Sequence, residues 1–339
     1  ALNTAVGYSA GAAVTTGVTN TLIGGDAGLI LTTGNNNVAV GREALKRLTT
    51  SNENVAVGSE ALKETTTGTK NVAMGHTAGQ FALTADGSTF VGHQAGQGIN
   101  GTKLTGNSNT AVGKNAGLVL QGAANLNTLV GTSSGAGVTT GTQNTFVGSL
   151  AGSNITTGTQ NVYVGYSPSG SAVGNAREIV IGNGAGAGSN SARFITTGGS
   201  LTIAIDGSTT AWTAASDSRL KKDVTDSTVG LEFIKDLRPV TFKWNSKNAI
   251  ADSLPQYDAD SSDPVYGEGK AHHGFIAQEV KTVIDAHSDV VNGHNIWVED
   301  PNGTQQVAPA ALIPMLTKAL QELSAKNDAL AARIAVLEG

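Results

Sequence analysis

The residues of this sequence that could carry out covalent chemistry include Ser216 and Lys221, five positions apart. A serine hydroxyl is a weak nucleophile until a base removes its proton, and a neutral lysine amine can be that base. Nearby positive charge from Arg219 and Lys222 favours the neutral amine, whereas Asp217 and Asp223 oppose it. The spacing alone favours a charged, capped turn at the start of a domain, and the nucleophile–base pair is the functional alternative.

The composition changes near residue 215, which indicates two physically different parts. Residues 1–215 hold 38 of the 45 glycines and nearly balanced charge, whereas residues 216–339 hold 12 Lys/Arg and 18 Asp/Glu. The net charge of −5 argues against a general nucleic-acid binder. No apolar run approaches the ~18–20 residues that span a bilayer, so we expect no membrane insertion. The absence of cysteine excludes disulfides and thiolate metal sites, and no cofactor or metal is expected.

The first part is an internal repeat, with phrases such as Asn-Val-Ala-Val-Gly at 37–41 and 54–58. Each phrase closes on a glycine, and of the ten intervals between these glycines eight are 17 residues and the others are 21 and 18. The closing glycines are Gly7, Gly24, Gly41, Gly58, Gly75, Gly92, Gly113, Gly131, Gly148, Gly165 and Gly182. Such a fixed period predicts a stack of structural repeats.

Each copy combines a short β-prone segment with turn residues, and 17 residues cannot enclose a core alone. We therefore predict a parallel β-solenoid of eleven coils over residues 1–188, with Asn37, Asn54 and Asn71 in a hydrogen-bonded ladder. Alanine dominates the interior, so stability should come from oligomerisation, most simply of three chains. The pattern resembles in style the head repeats of trimeric bacterial adhesins and the shafts of phage fibres.

Acidic residues of successive copies should stack on one side of the solenoid. Asp26, Glu43 and Glu60 each lie two positions after a coil glycine, and Lys46 and Lys63 follow the two glutamates by three. Two adjacent carboxylates could resemble a glycosidase pair. Neutralised rows of ion pairs are the interpretation that we favour.

Three further segments carry expectations. The 21-residue copy has extra residues around Gly98–Gly101, which should project as a loop. The stretch 178–187 matches a permissive dinucleotide fingerprint, but it is in phase as the last coil and no amphipathic helix follows, so we reject that function. A β-rich linker, with a strand at 201–206, should occupy residues 189–215.

The second part contains three blocks that carry a resemblance. They are Ser-Asp-Ser-Arg-Leu-Lys-Lys-Asp-Val at 216–224, Leu-Arg-Pro-Val-Thr-Phe-Lys-Trp at 237–244 and His-His-Gly-Phe-Ile-Ala-Gln-Glu-Val at 272–280. Together they resemble the endosialidase-type intramolecular chaperone peptidase domain, which ends phage tailspikes, tail fibres and neck appendages. The resemblance implies that the chain trimerises, folds its β-rich shaft and then cuts itself.

The resemblance also implies roles for single residues. Ser216 would be the nucleophile and Lys221 its base, and the cut would separate Ala215 from Ser216. His272 would support the site or the chaperone contact, with His273 as the alternative assignment. Four other residues are candidates for support: Asp217, Arg219, Gln278 and Glu279. The acidic segment 252–263 lacks the spacing of a calcium loop and should be a solvated loop.

The C-terminus carries residues, all but one of them apolar, at alternating steps of three and four, the spacing of coiled-coil a and d positions. These residues are Ile313, Leu316, Leu320, Leu323, Asn327, Leu330, Ile334 and Leu337. Asn327 stands at an a position, where a buried amide selects register. Near Pro314 the helix could instead pack on its own domain. The resemblance implies a coiled coil of three helices, and the sequence alone would also allow two.

The sequence therefore predicts a mainly β protein: a trimeric β-solenoid shaft (1–188), a linker (189–215), an α+β chaperone and autoprotease domain (216–311) and a coiled-coil helix (312–339). The expected function is a phage tail fibre or tailspike whose shaft binds a host-cell surface receptor, a glycan or outer-membrane component. It would be made in the host cytoplasm and reside in the virion. The alternative is a trimeric bacterial adhesin head with a processing domain and no catalysis.

Overall fold

The computed structural model describes residues 2–196, 199–205, 213–214, 216–254, 256–266, 269–290, 295–300 and 303–338. The chain divides into two compact units, residues 1–219 and residues 220–339. Each unit has its own cluster of buried apolar side chains. Within the described ranges, no helix combines the length and the hydropathy that crossing a membrane requires.

The first unit is the predicted stack of coils. Every repeat phrase forms a short strand that pairs in parallel with the equivalent strand of the next coil, for example Ala39 with Ala56. The strands are β1 (Thr4–Val6), β2 (Thr21–Ile23), β3 (Val38–Val40), β4 (Val55–Val57), β5 (Val72–Met74), β6 (Thr89–Val91), β7 (Thr110–Val112), β8 (Thr128–Val130), β9 (Thr145–Val147), β10 (Val162–Val164) and β11 (Ile179–Gly182). The predicted β-solenoid with its 17-residue period is confirmed.

The core of the stack is narrow because the central residue of each strand points inward and is often alanine. Ala39, Ala56 and Ala73 are fully buried, and larger side chains such as Phe90 and Tyr163 occupy the same position in other coils. Alternation along a strand sends the two flanking residues to the outside. Each strand from β2 to β11 thus buries its central side chain and leaves the two flanking ones at the surface.

The predicted asparagine ladder is present. The side-chain oxygen of Asn54 accepts hydrogen bonds from the backbone N–H and side-chain amide of Asn71, at 3.0 and 3.1 Å. The Asn54 amide in turn donates to the backbone oxygen of Gly68 at 2.9 Å. Each buried amide therefore satisfies backbone groups of its own coil and of the next one, which a small core cannot leave unpaired.

Two members of the ladder are not asparagine. Ser88 takes the place in the sixth coil, where its hydroxyl accepts from the backbone N–H of Asn109 at 3.2 Å. Glu178 takes it in the eleventh coil, where its buried carboxylate accepts from the Tyr163 hydroxyl at 2.7 Å and from the Gly188 N–H at 2.7 Å. Burial and the hydrogen bond to Glu178 raise the pKa of the Tyr163 hydroxyl.

The sheet continues beyond the eleventh coil. Strand β12 (Ser191–Thr196) pairs in parallel with β11, and β13 (Gly199–Ala204) and β14 (Thr213–Ala214) follow in antiparallel order. The predicted strand at 201–206 falls largely in β13, and Asp206 lies outside the described residues. Because β11 leads into β12 rather than into a helix, the fingerprint at 178–187 has the coil role expected for it.

The extra residues of the sixth coil form the predicted loop. Residues 99–102 are exposed, and a Cβ added at Gly101 would have no heavy atom within 4 Å. Lys103 turns back to the stack and pairs with Glu64 at 2.7 Å. Leu104 then restores the coil, because it is fully buried and bridges Ala82 of the previous coil.

The second unit is α+β. Its helices are α1 (Leu231–Asp236), α2 (Ala277–Ala286) and α3 (Ile313–Glu338), and its strands are β15 (Val240–Phe242), β16 (His272–Gly274), β17 (Trp297–Glu299) and β18 (Gln305–Val307). β15 pairs with β16 and β17 with β18, both antiparallel. The core lies between α1, α2 and the start of α3, around Phe233, Ile284 and Leu312. The described part of the acidic segment 252–263 is a largely exposed loop, as predicted.

Candidate functional site

The predicted nucleophile and base lie on either side of the boundary between the two compact units. Ser216 follows β14 and Lys221 follows a short 3-10 helix, Ser218–Leu220, and both residues are exposed. The unit boundary falls between residues 219 and 220. Ala215, the other half of the predicted junction, lies outside the described residues. The pairing of Ser216 with Lys221 therefore stays a prediction.

The charged residues next to the pair are bound to one another. Arg219 forms an ion pair with Asp217, with Nη2 2.6 Å from Oδ2. The backbone N–H of Arg219 donates a hydrogen bond to the same carboxylate at 2.9 Å. These bonds lower the pKa of Asp217 and raise the pKa of Arg219. Lys222 lies 3.9 Å from Asp223. The charges of these four neighbours of Lys221 in sequence cancel.

The two candidate histidines are neighbours on β16, and strand alternation gives them different surroundings. His272 is half-buried beside Phe242 and Trp244, with ring centroids 5.8 and 6.4 Å away. Its Nε2 is buried and has no hydrogen-bond partner among the described residues. His273 is exposed, and its Nδ1 lies 3.2 Å from the Thr241 hydroxyl. Of the two histidines, His272 is thus the one that has a buried ring nitrogen, Nε2, without a hydrogen-bond partner among the described residues.

Glu279 and Gln278 occupy the first turn of α2. Glu279 forms two side-chain hydrogen bonds with Arg238, the closer at 2.5 Å, and this contact lowers the pKa of Glu279. The pair ties α2 to the segment between α1 and β15. Arg238 was not singled out from the sequence, although it lies in the second block of the resemblance. The ion pair with Arg238 therefore fixes the position of the Glu279 side chain.

Gln278 borders a cleft of about 650 Å³ in the second unit. The cleft walls are mainly apolar, and its aromatic side chains come from three different segments: Phe242, Trp244, Tyr266 and Phe275. Trp244 packs edge-on against Tyr266, with ring centroids 4.9 Å apart. A cleft of this kind suits apolar side chains of a peptide segment. Neither Tyr266 nor the cleft was predicted, because sequence spacing does not reveal which loops meet.

The last helix leaves its heptad stripe uncovered in the single chain. Leu320, Leu330 and Leu337 are 67%, 54% and 84% exposed. The start of the helix packs on its own unit, since Ala319 is buried and Glu322 accepts a hydrogen bond from the Leu231 N–H at 2.9 Å. The packing expected near Pro314 is therefore observed, and the coiled coil stays a prediction.

The stacked acids of the shaft form ion-pair rows. Lys46 lies 3.2 Å from both Asp26 and Glu43, and Lys63 lies 2.5 Å from Glu43 and 3.2 Å from Glu60. Hydrogen bonds to Lys63 lower the pKa of Glu43 against the effect of its partial burial. Each lysine holds carboxylates of two coils together. This confirms the predicted rows of ion pairs.

These rows predict a pH dependence for the stability of the shaft. The lowered pKa of Glu43 means that its stabilisation is present above the ordinary value of 4.5 and is lost as the pH falls further. The raised pKa of Lys63 means that its share is present below 10.5 and is lost above it. The melting temperature should therefore fall at both extremes of pH.

Glu43→Gln tests this dependence. The variant should destabilise the shaft by about 1–2 kcal/mol at pH 7 and weaken the fall on the acid side, because a hydrogen bond to a charged group is lost. Glu53→Gln, at an exposed glutamate of the same coil, is the control. Thermal melts from pH 3 to pH 8 measure the effect, and an acid-side fall in Glu43→Gln as steep as in the wild type would contradict it.

The second unit and the end of the first contain a match to a known family. Residues 216–289 match the family model Peptidase_S74, described as the chaperone of endosialidase. This family implies serine-type self-cleavage at the level of the family. No curated protein and no solved structure matches the chain. A β-solenoid of 17-residue coils followed by this segment fits a tailspike or tail-fibre protein that carries a C-terminal endosialidase-type chaperone domain.

Proposed function

We propose that this chain is part of a phage tail fibre or tailspike, whose C-terminal chaperone drives trimerisation and folding of the shaft and then cuts the chain between Ala215 and Ser216. The observation that carries the proposal is the position of the family match. It begins at Ser216, four residues before the boundary between the compact units. A cut there would release the chaperone and leave the whole solenoid in the other product.

The shaft has a physical need for such a chaperone. Its strands are three or four residues long, its coils repeat one pattern, and equivalent residues of neighbouring coils are mostly 17 positions apart. Neighbouring chains could therefore align one coil out of register with little change in local contacts. Non-local parallel pairing is also slow, because loop closure precedes the contacts that reward it. A helix bundle at one end would bring three chains together and set their register.

The cleavage step is a transfer of the acyl group within the Ala215–Ser216 junction. Neutral Lys221 takes the proton of the Ser216 hydroxyl, and the oxygen attacks the carbonyl carbon of Ala215. The C–N bond breaks as the lysine returns the proton to the Ser216 nitrogen, leaving an ester between Ala215 and the Ser216 oxygen. Water then hydrolyses the ester to a carboxylate on Ala215 and a free hydroxyl and amine on Ser216.

Formation of the trimer would convert Lys221 into an effective general base. A lysine becomes a general base when burial or uncompensated positive charge favours its neutral form. Lys221 is exposed in the single chain, and its charged neighbours form a balanced set. Burial by two further copies would therefore switch the reaction on, so that only trimeric chains are cut.

The chaperone role has candidate residues of its own. The aromatic cleft could hold apolar side chains of the unfolded shaft, and His272, with its buried Nε2, borders the aromatic cluster beside it. The released shaft would remain in the virion and bind a host-surface glycan or outer-membrane component. The loop at 99–102 is the exposed departure from the repeat on which such contacts could form.

Substitutions at the junction test the mechanism with matched controls. Ser216→Ala removes the nucleophile, and Lys221→Arg keeps the charge but offers no neutral base. Both should slow cleavage by at least about 10³-fold. Ser218→Ala and Lys222→Arg, at neighbouring exposed positions, should cut like the wild type. Denaturing gels and fragment masses are the measurement, and an intact wild-type trimer or a cut Ser216→Ala chain would overturn the proposal.

A further inference from the structure

One surface of the shaft differs from the others in its chemistry. We define the strand face as the first and third residues of β1–β11, which flank the central residue of each strand; that central residue is buried in β2–β11. The third residues are Val6, Ile23, Val40, Val57, Met74, Val91, Val112, Val130, Val147, Val164 and Ile181. All eleven are apolar. The first residues are valine, isoleucine or threonine, and no strand of this face carries a charge.

These side chains face solvent in the single chain. Val6 is 58% exposed, Met74 47% and Val147 38%, and the others are half-buried or similarly exposed. At a strand spacing of ~4.8 Å, eleven strands make an apolar row about 50 Å long. Monomeric soluble proteins seldom leave so extended an apolar surface uncovered.

Strand propensity alone does not explain the row. Threonine is also a good strand former, and it occupies the first position of six strands, including β1 and β2. Elsewhere on the coils, outward positions carry threonine or charge, such as Thr33 or Arg42, and also single apolar residues such as Ile30 and Leu150. These apolar residues do not recur at the same position of every coil: the equivalents of Leu150 in the second and third coils are Asp26 and Glu43. At the third position threonine never occurs in the eleven strands. That position is selected for being apolar.

The irregular coils also leave the strand face intact. The four extra residues of the sixth coil emerge between Gln97 and Leu104, well after its strand. The strands on either side keep an unbroken register, with Val91 opposite Val112 and Val112 opposite Val130. Insertion is accepted on the other faces and avoided on this one.

We propose that the third-position row packs against the same row of two further copies of this chain, parallel and in register. The inference rests on the homotrimer of the proposed function and assigns the surface through which the shafts meet. The partner must be uncharged and must repeat at one strand spacing over eleven coils. A second copy of the chain meets both conditions, since an in-register copy sets each apolar side chain opposite its equivalent.

Single cysteines give a direct test, because the chain has no cysteine of its own. Val147→Cys places a thiol on the row, and Thr157→Cys places one at an exposed position of another face in the same coil. In the native trimer, maleimide should label the Val147→Cys thiol at least about tenfold more slowly than the Thr157→Cys thiol, because reaction requires local opening. In denaturant both should react equally.

The outcomes separate this inference from the proposed function. Light scattering first establishes the oligomeric state of each variant, and a melt establishes that it is folded. A folded trimer in which both thiols react equally fast would overturn the strand-face interface and leave the homotrimer standing. A folded monomer would overturn both. A short bis-maleimide that links chains through Val147→Cys and not through Thr157→Cys would support the interface further.

Discussion

Gly75→Ala should strongly destabilise the shaft. Gly75 has φ +139°, and an added Cβ would lie 2.4 Å from the backbone oxygen of Gly92 in the next coil. Neither backbone can retreat without breaking the parallel strand pairing, and this region of φ strains any residue with a side chain. We expect a loss of more than about 4 kcal/mol, in the range of exceptional single substitutions.

Gly101→Ala is the matched control for this prediction. Gly101 lies in the next coil, in the exposed loop, where an added Cβ meets no heavy atom within 4 Å. Its variant should melt within a few degrees of the wild type. Thermal denaturation and the yield of folded protein are the measurements. Equal stability of the two variants would contradict the close contact between coils as the reason why each repeat closes on glycine.

A double substitution in the last helix should abolish both assembly and cleavage. Leu323 and Leu330 are 43% and 54% exposed in the single chain, so replacing both with aspartate leaves the core of the second unit unchanged. In a coiled coil the same positions are buried, and carboxylates there would be desolvated without partners. We expect monomeric chains with an intact junction.

The control for the helix places the same charges on its outer side. Ala325 and Ala332 lie at f positions of the predicted heptads and are exposed. The doubly substituted Ala325→Asp and Ala332→Asp chain should form trimers and be cut. Light scattering and denaturing gels measure the two effects. Cleavage of the monomeric Leu323 and Leu330 variant would contradict the dependence of catalysis on assembly.

Much of the shaft was predictable because each of its rules is local and repeats. The closing glycines gave the period, and the period placed Asn37, Asn54 and Asn71 on one line and Lys63 between Glu43 and Glu60. The period could not predict the coils in which another residue replaces the expected one. Glu178 stands where asparagine is expected, and its partners Tyr163 and Gly188 come from different parts of the last turns.

The second unit was less predictable because its contacts join distant segments. The three blocks of the resemblance located Ser216, Lys221 and His272, and the family match covers them. No spacing rule brings Trp244 and Tyr266 to the same cleft, or Arg238 to Glu279. The surroundings of Lys221 in the proposed active state depend on further chains, and a single sequence does not encode them at recognisable spacing.

The most direct test of the account is to relate cleavage to assembly in the wild-type chain. Freshly expressed protein would be separated by size, and each fraction would be analysed by light scattering and by mass spectrometry under denaturing conditions. The account predicts that trimeric fractions contain a piece ending at Ala215 and a piece starting at Ser216, while monomeric fractions contain the uncut chain. Uncut trimers, or monomers cut to the same extent, would contradict it.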